Sequence, residues 1–320
     1  MFDLLNVVKD AMTIGISGHI RPDGDCVGST MAMYMYLTKV FPEKRVDIFL
    51  EPVPAAYSCI ERLNEVNTEF ITDVQSYDAF FVIDCDDTRI GQAQPHYGNA
   101  KVKINVDHHI SNPGCGDINY IVPTASSASE MVFDLIGEAG LDRDIALALY
   151  LGIIHDCGVF QYSNTLPKTL QTAAKLIPFG FDFSKIIEES FYQKTYMQNQ
   201  LLGMAVIDSR LILDGHVIYS SISKEIMDKY QAKSSDLDGI VNQLRNTKGV
   251  DCAIFMYELG DGQYKISMRS NEKVNVSVIA QAFGGGGHVK AAGVTISGTV
   301  ESIVAQLSDM IEEQLKLSQA

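Results

Sequence analysis

No apolar run in this chain approaches the roughly 18 residues of a membrane span. Its first residues, Met1-Phe2-Asp3, lack the basic, apolar and small-residue pattern of a secretory signal. The six cysteines form no CxxC pair. In a chain with no signal they read as reduced thiols, and the expected location is cytoplasmic. Positive charge is scarce: 25 Lys and Arg stand against 40 Asp and Glu, a formal net charge of −15. That balance argues against a broad basic surface able to clamp long nucleic acid. There is no internal repeat and no low-complexity tract.

What the chain does have is apolar mass and a particular placement of Asp and His. Of 320 residues, 46% are hydrophobic, enough for two cores without disulfide staples. Five of the seven histidines sit in short Asp-rich segments or in a glycine run. The Asp-rich segments are His19-x-x-x-Asp23-x-Asp25, Asp84 in Val82-Ile83-Asp84-Cys85-Asp86, Asp107-His108-His109, and His155-Asp156. The glycine run is Gly284-Gly285-Gly286-Gly287-His288. Asp with neutral His suits a pair of borderline-hard divalent cations. Two such cations held close together are a common device for hydrolysing phosphate esters. Metal-bound carboxylates would also explain part of the acidity.

The first half alternates short apolar runs with helical ones. Strands are predicted at Thr13–Ser17, Val46–Leu50, Ala79–Ile83 and Val102–Val106, with a helix at Val27–Val40. The pattern implies a parallel sheet with right-handed crossovers. Ligands bind beyond the carboxyl ends of such strands, where His19, Asp23, Asp84 and Asp107 fall. Ser127-x-x-Glu130 reads as a capping box for Met131–Glu138, with Gly140 as its stop. Ile145–Ile154 reads as an apolar helix delivering His155-Asp156, and further helices are expected at Thr169–Leu176 and Phe183–Ser190. Residues Ile186–Leu202 contain no Gly or Pro and read as a helical connector. Beyond it, strands are expected at Val206–Leu213, His216–Ser221, Ala253–Glu258 and Tyr264–Met268, with turns at Asp214-Gly215 and Asp261-Gly262. Val276–Phe283 and Val300–Leu317 read as helices.

Each functional reading has a plainer rival. Asp23 or Asp25 in the Pro22/Gly24 bend could simply cap the next helix, although His19 upstream and Gly28-Ser29 downstream suit a metal- and phosphate-binding turn. Asp84 ends a wholly apolar strand, where a carboxylate is costly unless paired or metal-bound; Asp86 and Asp87 are the better caps. In Asp107-His108-His109 one histidine can ligate while its neighbour points elsewhere, as strand residues alternate. Asp156 could be a solvated surface acid. The following Val159–Thr165 offers aromatics and hydroxyls to a nucleotide, or ordinary loop packing. Cys26, Cys85 and Cys157 each follow a candidate ligand and read as small buried residues. The four glycines read either as a flexible turn or as an anion-binding nest, to which Arg269, His288 and Lys290 would add charged donors.

Taken together, the four Asp/His segments resemble the DHH phosphoesterase family, named for the motif spelled here Asp107-His108-His109. Ile266–Ser270 and Gly284–Gly293 are similar to the DHH-associated C-terminal domain of the GGGH type. Within the family, length and architecture are most similar to the nano-RNase/pAp phosphatase (bifunctional oligoribonuclease) group. The resemblance implies an α/β fold: a parallel-sheet catalytic domain over 1–185, a helical connector over 186–202, and a smaller α/β substrate-binding domain over 203–320, with a cleft between the domains. It implies two manganese ions, one held by His19, Asp23 and Asp84 and the other by Asp25, Asp84, His108 and Asp156, with Asp84 bridging. Asp107 would support the site from behind and His109 would face the phosphate. Arg269, Gly285, Gly286, Gly287 and His288 would bind substrate. Many relatives carry Thr-Asp-Thr where this chain has His155-Asp156-Cys157.

The expected activity is manganese-dependent cleavage of short oligoribonucleotides to mononucleotides and dephosphorylation of 3′-phosphoadenosine 5′-phosphate (pAp) to AMP. The alternative is a phosphodiesterase of linear or cyclic dinucleotides (pApA, pGpG, c-di-AMP). An inorganic pyrophosphatase is disfavoured by the GGGGH run, and a non-catalytic nucleotide sensor by the complete ligand set. No membrane and no long nucleic acid is expected as a partner; a homodimer is left open.

Overall fold

A computed structural model describes residues 4–318 of the chain. The chain divides between Gln193 and Lys194 into two compact units. No helix among the described residues is long and apolar enough to cross a membrane.

The first unit runs α1 (Leu4–Val8), β1 (Thr13–Ser17), α2 (Gly24–Val40), β2 (Arg45–Phe49), β3 (Ala79–Ile83), α3 (Gln94–Gly98), β4 (Val102–Asp107), β5 (Ile118–Ile121), α4 (Ala128–Ile136), α5 (Arg143–Asp156), α6 (Pro167–Leu176) and α7 (Phe183–Ile187). Its five strands pair in the order β2-β1-β3-β4-β5, every pair parallel. The fourfold run Phe80-Phe81-Val82-Ile83 makes sense in the centre of this sheet. Phe81 and Ile83 join the core shared with α2, α4 and α5, while Phe80 and Val82 face a second cluster with Phe49, Tyr77 and Tyr97. Both faces are covered, so the strand carries no polar side chain until it ends.

The strand order reverses direction between β1 and β3, which opens a crevice at their carboxyl ends. Helix α2 packs closely on α5 because Gly28 has no side chain; a Cβ there would run into the Ala148 carbonyl oxygen.

Several local expectations are corrected. Helix α4 stops at Ile136, where Gly137 takes φ +70°, three residues before the expected Gly140. Ser127 does cap α4 through the Glu130 N–H, but the Glu130 carboxylate accepts from Ser126 and Thr169 hydroxyls rather than closing the box. The connector is not one helix: a π-helical turn over Glu188–Tyr192 follows α7, the chain extends at Gln193, and Thr195 caps a new helix.

The second unit comprises α8 (Tyr196–Ile207), β6 (Arg210–Ile212), β7 (Val217–Ile222), α9 (Lys224–Tyr230), α10 (Ile240–Arg245), β8 (Cys252–Gly260), β9 (Gln263–Ser270), α11 (Val276–Ala282), β10 (Gly286–His288), β11 (Ala291–Ser297) and α12 (Val300–Leu317). The strands order as β10-β11-β9-β8-β7-β6. Only β7 and β8 pair in parallel, the rest antiparallel. Alternate residues of β8 and β9 serve two cores: Ile254, Met256, Ile266 and Met268 face α11 and α12, whereas Ala253 and Phe255 pack with α8 and α10. Val206 and Ile207, read above as strand, complete α8 instead; β6 is only three residues long. Asp261 and Gly262 both have positive φ, the turn geometry that lets β8 and β9 form a hairpin.

Candidate active site

The ends of β1, β3 and β4 and the last turn of α5 bring Asp and His together. After β1, the loop carries His19 and then Asp23, which caps α2 by accepting from the N–H groups of Asp25 and Cys26. The capping role and proximity to the cluster coexist in Asp23, since the same oxygen lies 3.6 Å from His19 Nε2. Asp25 turns the other way. It is buried, and its two oxygens accept from the Ala128 and Ser129 N–H groups at 2.6 and 2.9 Å. Those amides are the first of α4, whose positive dipole end steadies the carboxylate.

Asp84 follows β3 directly with φ +66°, a left-handed conformation that Asp tolerates better than most residues. It is 2% exposed. Its Oδ2 lies 3.5 Å from His19 Nε2, and its Oδ1 lies 3.4 Å from His108 Nε2 and 3.8 Å from His109 Nδ1. Yet Oδ1 is buried with no hydrogen-bond partner. His108 Nε2 also lies 3.5 Å from Asp156 Oδ2 and 3.9 Å from Asp25 Oδ2.

An orphaned carboxylate oxygen ringed by imidazole nitrogens is expensive as it stands. It is what a cation site requires. Three overlapping sets of donor atoms have the spacing for it: Asp84 with Asp107, His108 and His109; His19 with Cys26 and Asp84; and Asp25 with His108 and Asp156. Of the residues expected to ligate, Asp23 alone is outside these sets, although its carboxylate is close to His19.

Asp107 is fully buried and saturated with donors. Its Oδ1 accepts from the His108 and His109 N–H groups and from His109 Nδ1, and Oδ2 accepts from Asn112 Nδ2 at 2.6 Å. Both histidines consequently turn into the cluster, with ring centroids 4.7 Å apart. The expected alternation of faces fails because β4 ends at Asp107 and the two histidines lie in a turn built on its carboxylate.

The charges are strongly coupled. Burial pushes the Asp25 carboxyl well up, with Asp84 and Asp156 adding to the effect. Burial also lifts Asp156 to about 7. Burial opposes the charged form of His108, but Asp84, Asp25 and Asp156 outweigh it and raise the pKa to about 10. His19 is raised in the same manner by Asp23 and Asp84. For His109 the hydrogen bond to Asp107 dominates and raises it. In Asp107, the hydrogen bonds from His109 and Asn112 overcome burial and hold the carboxyl low. These shifts all follow from packing carboxylates and imidazoles into one buried basket.

Sequence reading missed the groups that brace the basket. Asn112 Nδ2 also donates to Asn105 Oδ1, and Asn105 Nδ2 donates to the carbonyls of Val82 and Cys85 on either side of Asp84. An Asn inside an apolar strand was the available signal. Asn164 Nδ2 ties the Asp156 carbonyl to that of Ser126. His155 does not join the donor sets. Its ring packs against Gly24, where a Cβ would collide with it, and its Nε2 meets Ser190 Oγ at 3.0 Å. Cys26, Cys85 and Cys157 are all buried as expected, and Cys26, on α2, also approaches His19 and Asp84. Burial pushes its thiol up to about 11.

The substrate residues expected from the second half lie in the second unit. Arg269 stands on β9 opposite Ala291 and Ala253, donating from Nη1 to the Met268 carbonyl. The glycine run is neither a free turn nor an open nest along its whole length. Gly284 and Gly285 N–H close the end of α11 on Gln281 and Ala280, and Gly286–His288 pair with β11 as an edge strand. His288 is exposed.

Residues 13–153 match the family model described as the DHH family, N-terminal domain, and residues 214–317 that of the DHHA1 domain. The chain is 28% identical over 319 residues to a protein of Bacillus subtilis named bifunctional oligoribonuclease and PAP phosphatase NrnA, covering 97% of this chain and 98% of that one. It is 26% identical to the protein of that name from Thermus thermophilus, covering 94% and 90%. Among solved structures, an exopolyphosphatase-related protein from Bacteroides fragilis superposes with a TM-score of 0.89 at 26% identity, covering 98% of this chain and 96% of that one. RecJ of Thermus thermophilus, solved in complex with Mn²⁺, shares the fold at a TM-score of 0.53 and 11% identity, covering 97% of this chain and 53% of that one.

Proposed function

We propose that this chain, which carries a DHH family N-terminal domain followed by a DHHA1 domain, is a manganese-dependent phosphoesterase that degrades short oligoribonucleotides to mononucleotides and dephosphorylates pAp to AMP. The buried, unpartnered Oδ1 of Asp84 at the β1/β3 crevice carries the reading. It places a cation-seeking oxygen within 4 Å of two other candidate ligands or their partners. The NrnA-named relatives, which this chain matches over nearly its full length, support the substrates.

His19, Asp23 and Asp84 would hold one ion, and Asp25, Asp84, His108 and Asp156 the other. When bound, two divalent cations supply Lewis acidity and a nucleophile competent at neutral pH.

The protein's own groups do the rest. The α4 amides hold Asp25 in place, and Asn112 and Asn105 fix Asp107 and the β3 end against each other. The Asp107 carboxylate accepts the hydrogen bond of His109 Nδ1–H and favours the imidazolium form, whose Nε2–H would donate to a phosphoryl oxygen and stabilise charge there. Exposure marks the open side of the basket. The Asp84, Asp25 and His19 side chains are 3%, 3% and 5% exposed, while Asp156, His109 and Asp23 are 31%, 32% and 61% exposed. Substrate would enter past the latter three. The net charge of −15 favours short substrates, since a long strand would meet repulsion without a basic track.

The test is phosphate or nucleotide release by chelated protein, with and without added Mn²⁺, on pAp, a 5′-labelled RNA ladder, cyclic dinucleotides and pyrophosphate. Activity should return with Mn²⁺ on pAp and on RNAs of two to about five nucleotides, and kcat/KM should fall steeply beyond that length. Rates that stay flat to about twenty nucleotides, or turnover of cyclic dinucleotides alone, would replace this assignment.

A further inference from the structure

After Asp156 the backbone does something uncommon. Gly158, Val159 and Phe160 are three successive residues at positive φ (+58°, +53° and +65°). For a β-branched residue such as Val159 that is an outlier, and such strain persists only where the surroundings enforce it. Here the Val159 N–H donates to the Ile154 carbonyl, and the Gln161 and Tyr162 N–H groups both donate to that of Cys157. The result lifts Gln161 and Tyr162 to the surface just beyond Asp156; Tyr162 is 43% exposed.

A second irregular element meets this turn. Glu188–Tyr192 is a π-helical turn, a form that recurs at functional sites, and Tyr192 is 53% exposed at its end. Gln161 Nε2 donates to Tyr192 Oη at 3.3 Å, joining the two segments. Rings connect them to the cluster: His155, the neighbour of Asp156, contacts Phe191 at 5.4 Å, and Phe191 meets Tyr192 at 5.2 Å. The last pair stands at 81°, so Phe191 braces Tyr192 without lying flat over it.

We propose that Tyr192, braced by Phe191 and Gln161, is a stacking platform for one nucleobase flanking the phosphate at the Asp84 cluster. This rests on the phosphoesterase reading above and adds a base-binding site inside the first unit. Glu188 and Glu189 occupy the same turn. They repel a phosphate but not an uncharged base, and aromatic stacking accepts any base because each has a π-face. The platform therefore contributes affinity for nucleotides over simple phosphate esters without reading sequence.

The test compares wild type, Tyr192→Ala and Tyr192→Phe on a dinucleotide and on its counterparts lacking one base. With Tyr192→Ala, kcat/KM on the intact dinucleotide should fall roughly five- to hundredfold, the range for one lost base stack. Tyr192→Phe should restore most of it, because the ring and not the hydroxyl does the stacking. On the counterpart lacking the stacked base, the gap between wild type and Tyr192→Ala should close. Calorimetry gives a readout independent of turnover: the Kd of AMP should rise in Tyr192→Ala while that of ribose 5-phosphate holds. Equal losses on intact and abasic dinucleotides, or no loss on either, would overturn the platform. If wild type cleaves no oligonucleotide, the proposed function fails, and the AMP comparison still decides the platform.

Discussion

Replacing Asp84 by Asn removes one charge from the centre of the basket and almost no volume. Asn tolerates the left-handed backbone at φ +66°, so the fold should survive. Function should not. Imidazole nitrogens lie 3.4 and 3.5 Å from the Asp84 carboxylate. At an effective dielectric of about 20, opposite unit charges at that distance attract by roughly 5 kcal/mol. A divalent cation loses at least as much when the carboxylate is neutralised, and a loss of that size in the transition state is between about three and four decades in kcat. The assay is single-turnover and steady-state cleavage of a dinucleotide at saturating Mn²⁺, with bound metal counted by elemental analysis. Thermal unfolding provides the control. Metal-free Asp84→Asn should be somewhat less stable than metal-free wild type, because His19 and His108 lose the carboxylate beside them, so each protein's metal response is read against its own metal-free Tm. Mn²⁺ should raise the Tm of wild type and leave that of the variant nearly unmoved. A kcat within tenfold of wild type, or an equal Tm shift with Mn²⁺, would refute Asp84 as the shared ligand.

Two further perturbations separate bracing from binding. Asn112→Ala deletes the donor to Asp107 Oδ2 and should cost about 1–3 kcal/mol in a urea titration. It should also lower kcat by loosening His109; lost stability with unchanged kcat would make the Asn105–Asn112–Asp107 chain structural only. Arg269→Ala and His288→Ala, in the second unit, should leave the bound-metal count intact. They should lower kcat/KM on oligonucleotides by roughly one to three decades, as expected for a lost charged hydrogen bond and some misplacement, with little change on bis-p-nitrophenyl phosphate. Equal losses on both substrates would place these residues in the chemical step or in folding.

The ends of β1, β3 and β4 could be read from the chain alone, since each is a short apolar run that stops at an Asp or His. A strand with both faces buried is mostly apolar and takes a polar residue such as Asn105 only where it is hydrogen-bonded, so the first carboxylate after it marks where the sheet releases the chain. The same local logic placed α2, α5 and α12, and it gave Asp86 its cap on the turn Asp87–Arg89. It failed where a side chain had two possible uses and the packed structure chose between them. Glu130 could have closed a capping box, but the Thr169 hydroxyl lies in reach and takes it. His109 could have pointed away, but the Asp107 carboxylate turns it in.

What the sequence by itself determined is the order of strands and turns and the kinds of donor they deliver, because hydrophobic period and turn chemistry act over a few residues. Tertiary structure decided the rest. Asp25 meets the amides of α4 more than a hundred residues away, Asn105 and Asn112 brace the two strand ends, the glycine run becomes an edge strand, and the connector breaks at Gln193. These outcomes rest on hydrogen bonds whose partners become neighbours only once the sheet and helices have packed, and no local pattern encodes which neighbour arrives.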